Sequence, residues 1–172
     1  MILNGKTIIN AILYKYQCLE ISDLLSFFKN LQDLKKSFET HIQSYKPHYT
    51  LKQLEKDANQ SKIKKTYFFI VYNEDEIIFS QRFVFYVKSN FTYIDFIVTH
   101  PEKRGQHIGS QCLDLFLFKS RNVFNIYESK VRKDNIHALK CYQKNDFKIA
   151  KIIQQKTEKS TIDVCIMKKY NK

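Results

Sequence analysis

Val98-Thr-His-Pro-Glu-Lys-Arg-Gly-Gln-His-Ile-Gly-Ser-Gln-Cys112 holds two of the chain's 3 glycines, Gly105 and Gly109, between an apolar strand and an apolar helix. Glycine weakens an ordinary element, so the pair marks a place where backbone approaches something closely. A strand that enters such a turn and continues as a helix is a recurrent anion-binding device. The first N–H groups of the helix lack internal partners, and the helix dipole favours negative charge there. Lys103 and Arg104 add charge at the rim. A dinucleotide fingerprint needs a third glycine in different spacing, and a Walker loop needs Gly-Lys-Ser/Thr; neither is present. Taken alone, the loop also fits a turn whose glycines serve only geometry.

On either side the chain alternates between sheet and helix patterns. Thr7 to Tyr16 reads as a first strand, and from Ser22 to Phe38 the residues Leu24, Phe27, Phe28, Leu31, Leu34 and Phe38 recur at helical spacing. An aromatic loop, Tyr45 to Tyr49, precedes a second helix that Thr50 and Gln53 open with capping-box spacing. Thr66 to Tyr72 and Ile77 to Lys88 are strands joined by the turn Asn73 to Glu76, and Phe91 to Thr99 is the fourth strand. A helix from Ile108 to about Arg121 follows, then a strand from Val123 to Val131. A short helix opens at Asp134 or Asn135 and reaches about Lys144, and strands Phe147 to Ile153 and Thr161 to Tyr170 close the chain. No repeat or linker divides it, so residues 1–172 read as a single α/β domain with one mixed sheet in a three-layer arrangement.

Composition excludes several classes. With 44% hydrophobic residues the chain can fold by packing alone. Cys18, Cys112, Cys141 and Cys165 form neither a disulfide framework nor a zinc pattern, and the five histidines are too dispersed for a metal set. Neither a signal-peptide run nor a membrane span is visible, so the expected home is reducing and cytoplasmic. The net charge of +12 comes mostly from lysines scattered along the whole chain, with only 4 arginines. Specific nucleic-acid binding is therefore disfavoured, since arginine is the usual reader of base edges. A basic surface that recruits a polyanionic cofactor fits equally well.

A second constellation stands at Val131-Arg-Lys-Asp-Asn-Ile-His-Ala-Leu-Lys-Cys-Tyr-Gln-Lys-Asn-Asp-Phe147. Helical spacing puts Asn135, Ala138 and Tyr142 on one face, where the small residue leaves room for a ligand arm. An Asn cap, a core Ala and a core Tyr would read the same way. Together, the two stretches resemble the signature of the GNAT superfamily, the GCN5-related N-acetyltransferases. Arg104-Gly105-Gln106-His107-Ile108-Gly109 is similar to its acetyl-CoA loop. Val131, Asn135, Ala138, Tyr142, Lys144 and Phe147 match its later motif. His107 replaces the middle glycine of the loop, and Asp146 stands where relatives have a glycine after the helix.

The resemblance implies a mostly antiparallel central sheet flanked by helices on both faces, and acetyl-CoA as acetyl donor. It implies direct attack by a primary amine of a peptide, protein or small metabolite in a ternary complex. A non-catalytic module of the same fold that binds acetyl-CoA or nucleic acid is the alternative. Under the resemblance, Ile97, Val98 and Thr99 pair with the pantetheine arm. Arg104, Gly105, Gln106, His107, Ile108, Gly109 and Ser110 seat the diphosphate, Asn135 touches the arm, and Tyr142 protonates the departing thiolate. The position that carries a Glu base in some relatives is Lys130 here. Asp95 is the first candidate for the base, on the face of Ile97 and Thr99 if the strand is regular, and Glu128 follows. Cys112 and Cys141 lack an activating partner for nucleophilic work.

Overall fold

The computed structural model describes residues 3–29, 31–44, 50, 52–53, 56, 64–74, 76–86, 88–157 and 160–171. Their strands are β1 (Asn4–Ile9), β2 (Ile12–Glu20), β3 (Lys64–Tyr72), β4 (Ile77–Tyr86), β5 (Phe91–Thr99), β6 (Ile126–Arg132), β7 (Lys148–Lys156) and β8 (Thr161–Tyr170). The helices are α1 (Leu24–Phe28), α2 (Gln32–Gln43), α3 (Ile108–Ser120) and α4 (Ile136–Lys144). All the strands join one sheet in the order β1-β2-β3-β4-β5-β6-β8-β7. Every pairing is antiparallel except β5 with β6.

Alternation along the central strands sends side chains to two apolar layers. Phe68, Ile70, Phe96 and Val98 meet Leu24, Phe28, Leu34, Phe38 and Ile42 of α1 and α2. On the other face Phe69, Val71, Ile94, Tyr127 and Val131 pack on Cys112, Leu113, Phe116, Leu139 and Tyr142 of α3 and α4. The mixed α/β architecture, mostly antiparallel with helices on both faces, is the one expected.

The N-terminal third departs from expectation. Thr7 to Tyr16 is a hairpin rather than one strand, because Asn10 and Ala11 both take positive φ, 50° and 64°, and Ile9 pairs with Ile12. Such a two-residue turn matches strand twist, but Asn-Ala lacks the glycine that signals it in sequence. The first helical stretch breaks into α1 and α2 at Leu31, which leaves the apolar stripe and is 38% exposed. Most of the second expected helix lies outside the described residues. Its start is seen: the Gln53 N–H donates to Thr50 Oγ1 at 3.2 Å, and Lys52, Gln53 and Lys56 are helical. The expected strand Val123 to Val131 begins later, at Ile126, after a turn that follows α3.

Candidate active site

The sheet opens where its one parallel pair fails. β5 and β6 pair only from Phe91 with Ile126 to Ile94 with Ser129. One residue further, β5 carries a bulge: Arg82 faces Phe96 while Phe83 faces Ile94, so Asp95 is the extra residue. A bulge bends its strand and raises its twist, which turns the rest of β5 away from β6. The result is a wedge between Asp95–Thr99 and Lys130–Arg132.

Main-chain groups line this wedge. His100 donates its N–H to the Ile78 carbonyl at 2.9 Å, so His100 faces β4. Strand alternation then turns the N–H and C=O groups of Ile97 and Thr99 toward the gap. The Thr99 carbonyl accepts from Arg104 Nε at 3.2 Å across the mouth of the wedge. On the far side of β5, buried His41 of α2 donates from Nε2 to the Val98 carbonyl at 2.8 Å. Burial lowers the His41 pKa to about 4, with the Val98 hydrogen bond opposing that effect. The ring is therefore neutral near pH 7 and can serve as a fixed donor that braces the strand.

Tyr142 reaches the apex of the wedge from α4. It is 2% exposed, its Oη lies 3.0 Å from Ser129 Oγ, and Ser129 Oγ also lies 2.9 Å from the Ile94 carbonyl. Ser129 has one proton to donate, either to that carbonyl or to the Tyr142 oxygen. The chain Tyr142–Ser129–Ile94 thus fixes a phenol at the point where the strands part. Ser129 carries a role that the sequence reading missed. Its signal was a small polar residue between Tyr127 and Val131 on the buried face of β6.

At the open end, the two glycines have different reasons. Gly105 has φ +77°, and a Cβ there would meet nothing within 4 Å. The backbone conformation alone favours glycine at that point, since space would admit a side chain. Gly109 is a contact residue: a Cβ would lie 2.7 Å from Thr99 Oγ1. Its absence lets α3 rest against β5. His107, the departure from the glycine pattern, caps α3 in the left-handed region at φ 61°. Histidine enters that region more readily than most residues. Its Nδ1 lies 3.2 Å from Lys144 Nζ on α4, so the ring contacts α4. Asp146 likewise takes the left-handed conformation at φ 63°.

Neighbouring elements hold the loop. Asn10 of the β1–β2 turn donates from Nδ2 to the Gln106 carbonyl at 3.4 Å. Asn145 Nδ2 donates to the carbonyl and hydroxyl oxygens of Ser110, joining α4 to the first turn of α3. Arg104, Gly105, Gln106 and His107 are exposed, whereas Ile108 is buried beneath the helix start. No acidic residue stands in the first turn of α3. This end of the wedge therefore suits an anion.

The remaining candidates fall as follows. Asn135 caps α4 by accepting the Ala138 N–H on Oδ1 at 3.1 Å. Asp95 does not share the face of Ile97 and Thr99, because the condition of a regular strand fails at the bulge. It pairs instead with Arg82 Nη1 at 3.2 Å, on the α1–α2 side of the sheet. Glu128 pairs with Lys168 at 3.1 Å. Burial raises the Cys141 thiol to about 11 and pushes Cys112 higher still, which keeps both protonated at neutral pH. Among the described residues, Glu76, His100 and Glu102 converge enough to hold a cation, but Glu76 already ion-pairs with Lys103 and lies 3.6 Å from His100 Nε2.

A split mixed sheet with an anion-receptive helix start and a buried phenol at the apex defines a class of group-transfer proteins. The acetyltransferase (GNAT) family model matches residues 28–147. The chain belongs to the GNAT acetyltransferase family. It is similar to the ribosomal-protein-S18-alanine N-acetyltransferase of Escherichia coli, with TM-score 0.61 and 17% identity over 92% of this chain and 94% of that one. A ribosomal L7/L12 α-N-protein acetyltransferase in complex with coenzyme A has TM-score 0.64 and 15% identity, over 91% of this chain and 93% of that one. A spermidine N-acetyltransferase chimera from Vibrio cholerae and hSSAT gives TM-score 0.64 and 17% identity, over 91% and 95% of the two chains. At these identities the likeness is one of fold. No curated protein sequence matches the chain significantly.

Proposed function

We propose that the chain transfers the acetyl group of acetyl-CoA to a primary amine by direct attack within a ternary complex. The observation that carries this reading is Tyr142 Oη, buried at the apex of a wedge where β5 and β6 stop pairing after Ile94 and Ser129. In that reading acetyl-CoA supplies an activated acetyl thioester. Ile97 and Thr99 hold its arm, while Val98 between them turns to β4 and His41 and takes no part. Arg104, Gly105 and the first turn of α3 through Ser110 hold its diphosphate. Gln106, His107, Ile108 and Gly109 complete that seat, and Asn135 borders the arm.

Tyr142 Oη gives its proton to the departing sulfur, and Ser129 keeps the phenol aimed there. An alkylamine of pKa near 10.4 is neutral for fewer than roughly one molecule in a thousand at pH 7. A proton must therefore leave the amine, and Asp95 is the acidic side chain nearest the opening of the strands. Its pairing with Arg82 makes a water-relayed transfer the more economical route.

Tyr142→Phe tests the reading. Removing a general acid typically costs about 10² to 10⁴ in rate, so free-thiol release from acetyl-CoA with an amine panel should fall by that factor. The rise in Tm caused by acetyl-CoA should be kept, because the ring remains. Unchanged turnover would remove Tyr142 from the chemistry. Cofactor-induced stabilisation without turnover on any amine or peptide would instead favour a non-catalytic binding module.

A further inference from the structure

We propose that the acceptor carries an anionic group, a carboxylate or a phosphate, beside the amine it presents, and that Lys130 and Lys151 receive that group. This rests on the acetyl-transfer reading above. Tyr142 and the loop leading into α3 reach the wedge from the α3–α4 side, which leaves the opposite face of the sheet for the acceptor.

Strand register fixes what stands on that face. Ile94 and Ser129 form the last rung between β5 and β6, so the next residues, Asp95 and Lys130, flank the apex. Lys130 aligns with Ile166 of β8 and, through it, with Lys151 of β7. One row away, Glu128 aligns with Lys168 and Lys148. These positions lie on the face opposite Tyr127, Ser129 and Val131, Lys151 by virtue of the register shift after Ile149, and Lys130, Lys148 and Lys151 are exposed. Lys130 and Lys151 are two inter-strand spacings apart, roughly 10 Å, a span that one small anion can bridge with extended lysine side chains.

The charge on this face is unbalanced in one direction. Asp95 is answered by Arg82 at 3.2 Å, and Glu128 by Lys168 at 3.1 Å. Arg132 is taken up by Asp134. Among the described residues, Lys130, Lys148 and Lys151 have no ion pair. This face of the apex therefore offers a carboxylate already paired with Arg82 on its β5 side and uncompensated cations on its β6–β7 side. An ammonium group faces Asp95 while its neighbouring anion faces the lysines. A polycation meets like charge at the second position. The same lysine field disfavours the ammonium form of the bound amine, which aids its deprotonation.

Four amines of matched length test this: δ-aminovalerate, 3-aminopropyl phosphate, δ-aminovaleramide and cadaverine. Binding to the CoA-saturated protein is read by calorimetry, and turnover by thiol release from acetyl-CoA. The anionic pair should bind and react at least roughly 10-fold better than the amide, with cadaverine weakest, and the advantage should shrink with added salt. The relative strength of the carboxylate and phosphate arms identifies the group. Lys130→Glu with Lys151→Glu should abolish or reverse the order while leaving the acetyl-CoA-induced rise in Tm unchanged.

Equal handling of the amide, preference for cadaverine, no calorimetric binding of either anion, or an order that survives the double substitution would each overturn the proposal. Failure of acetyl-CoA to stabilise the wild-type protein would strike the acetyl-transfer reading instead, and is seen before any amine is added.

Discussion

Gly109 shows how a residue that looks made for a ligand can also be fixed by a neighbour. Its missing side chain is required by Thr99, whose Oγ1 would lie 2.7 Å from an added Cβ. Overpacking of this kind costs about 1–3 kcal/mol, against at most about 1 kcal/mol gained from replacing glycine in a helix. Gly109→Ala should therefore lower stability in urea titration. In a Thr99→Ala background the obstructing oxygen is gone, and the same change should become neutral or stabilising. A loss of equal size in both backgrounds would show that the contact is not the cause.

His107 was legible as a departure from the glycine pattern, but its outcome was not. Only the left-handed backbone and the Lys144 contact show how a side chain is carried there. Tyr142 was legible by helical spacing from Asn135. Its partner Ser129 was not, because the two meet through a strand pairing that local periodicity does not encode. The face of Asp95 differs from expectation for a related reason: alternation is legible, whereas a single-residue bulge that resets it is not.

At the scale of elements, the central strands and the last two helices were legible because apolar period and turn chemistry agree there. The Asn10-Ala11 turn was missed for want of glycine, and the break at Leu31 for want of any local breaker in the periodic stripe. Helix α2 supplies an element-level prediction through His41, which joins it to β5. Burial holds the folded-state pKa near 4, below the ordinary value of 6.5, so the unfolded chain binds a proton there more readily. Stability is thus fully present above about pH 6.5 and declines as the pH falls toward 4. The full span is worth roughly 3 kcal/mol from this residue, at about 1.36 kcal/mol per unit. His100, at 6.4 Å between ring centroids, and Arg104 add positive charge that disfavours protonation further. Urea midpoints between pH 7 and pH 4.5 should fall more steeply in the wild type than in His41→Gln. Parallel slopes would refute the assignment.

For the whole molecule, the decisive fact is that β1–β5 and β6–β8–β7 share only the four-residue ladder that ends at Ile94 and Ser129. The sheet is continuous in order but incomplete in hydrogen bonds beyond that point. Under the proposed function the missing rungs are supplied from outside the chain. Amide exchange should report this directly: the Ile97 and Thr99 N–H groups should exchange far faster than that of Val98, which faces β4. Acetyl-CoA should slow the first two and leave Val98 little changed, while unaltered exchange at Ile97 and Thr99 would place the ligand elsewhere. The seam is then a latch as well as a binding groove. Under the proposed function, a departing ligand breaks these borrowed rungs, which ties product release to the seam.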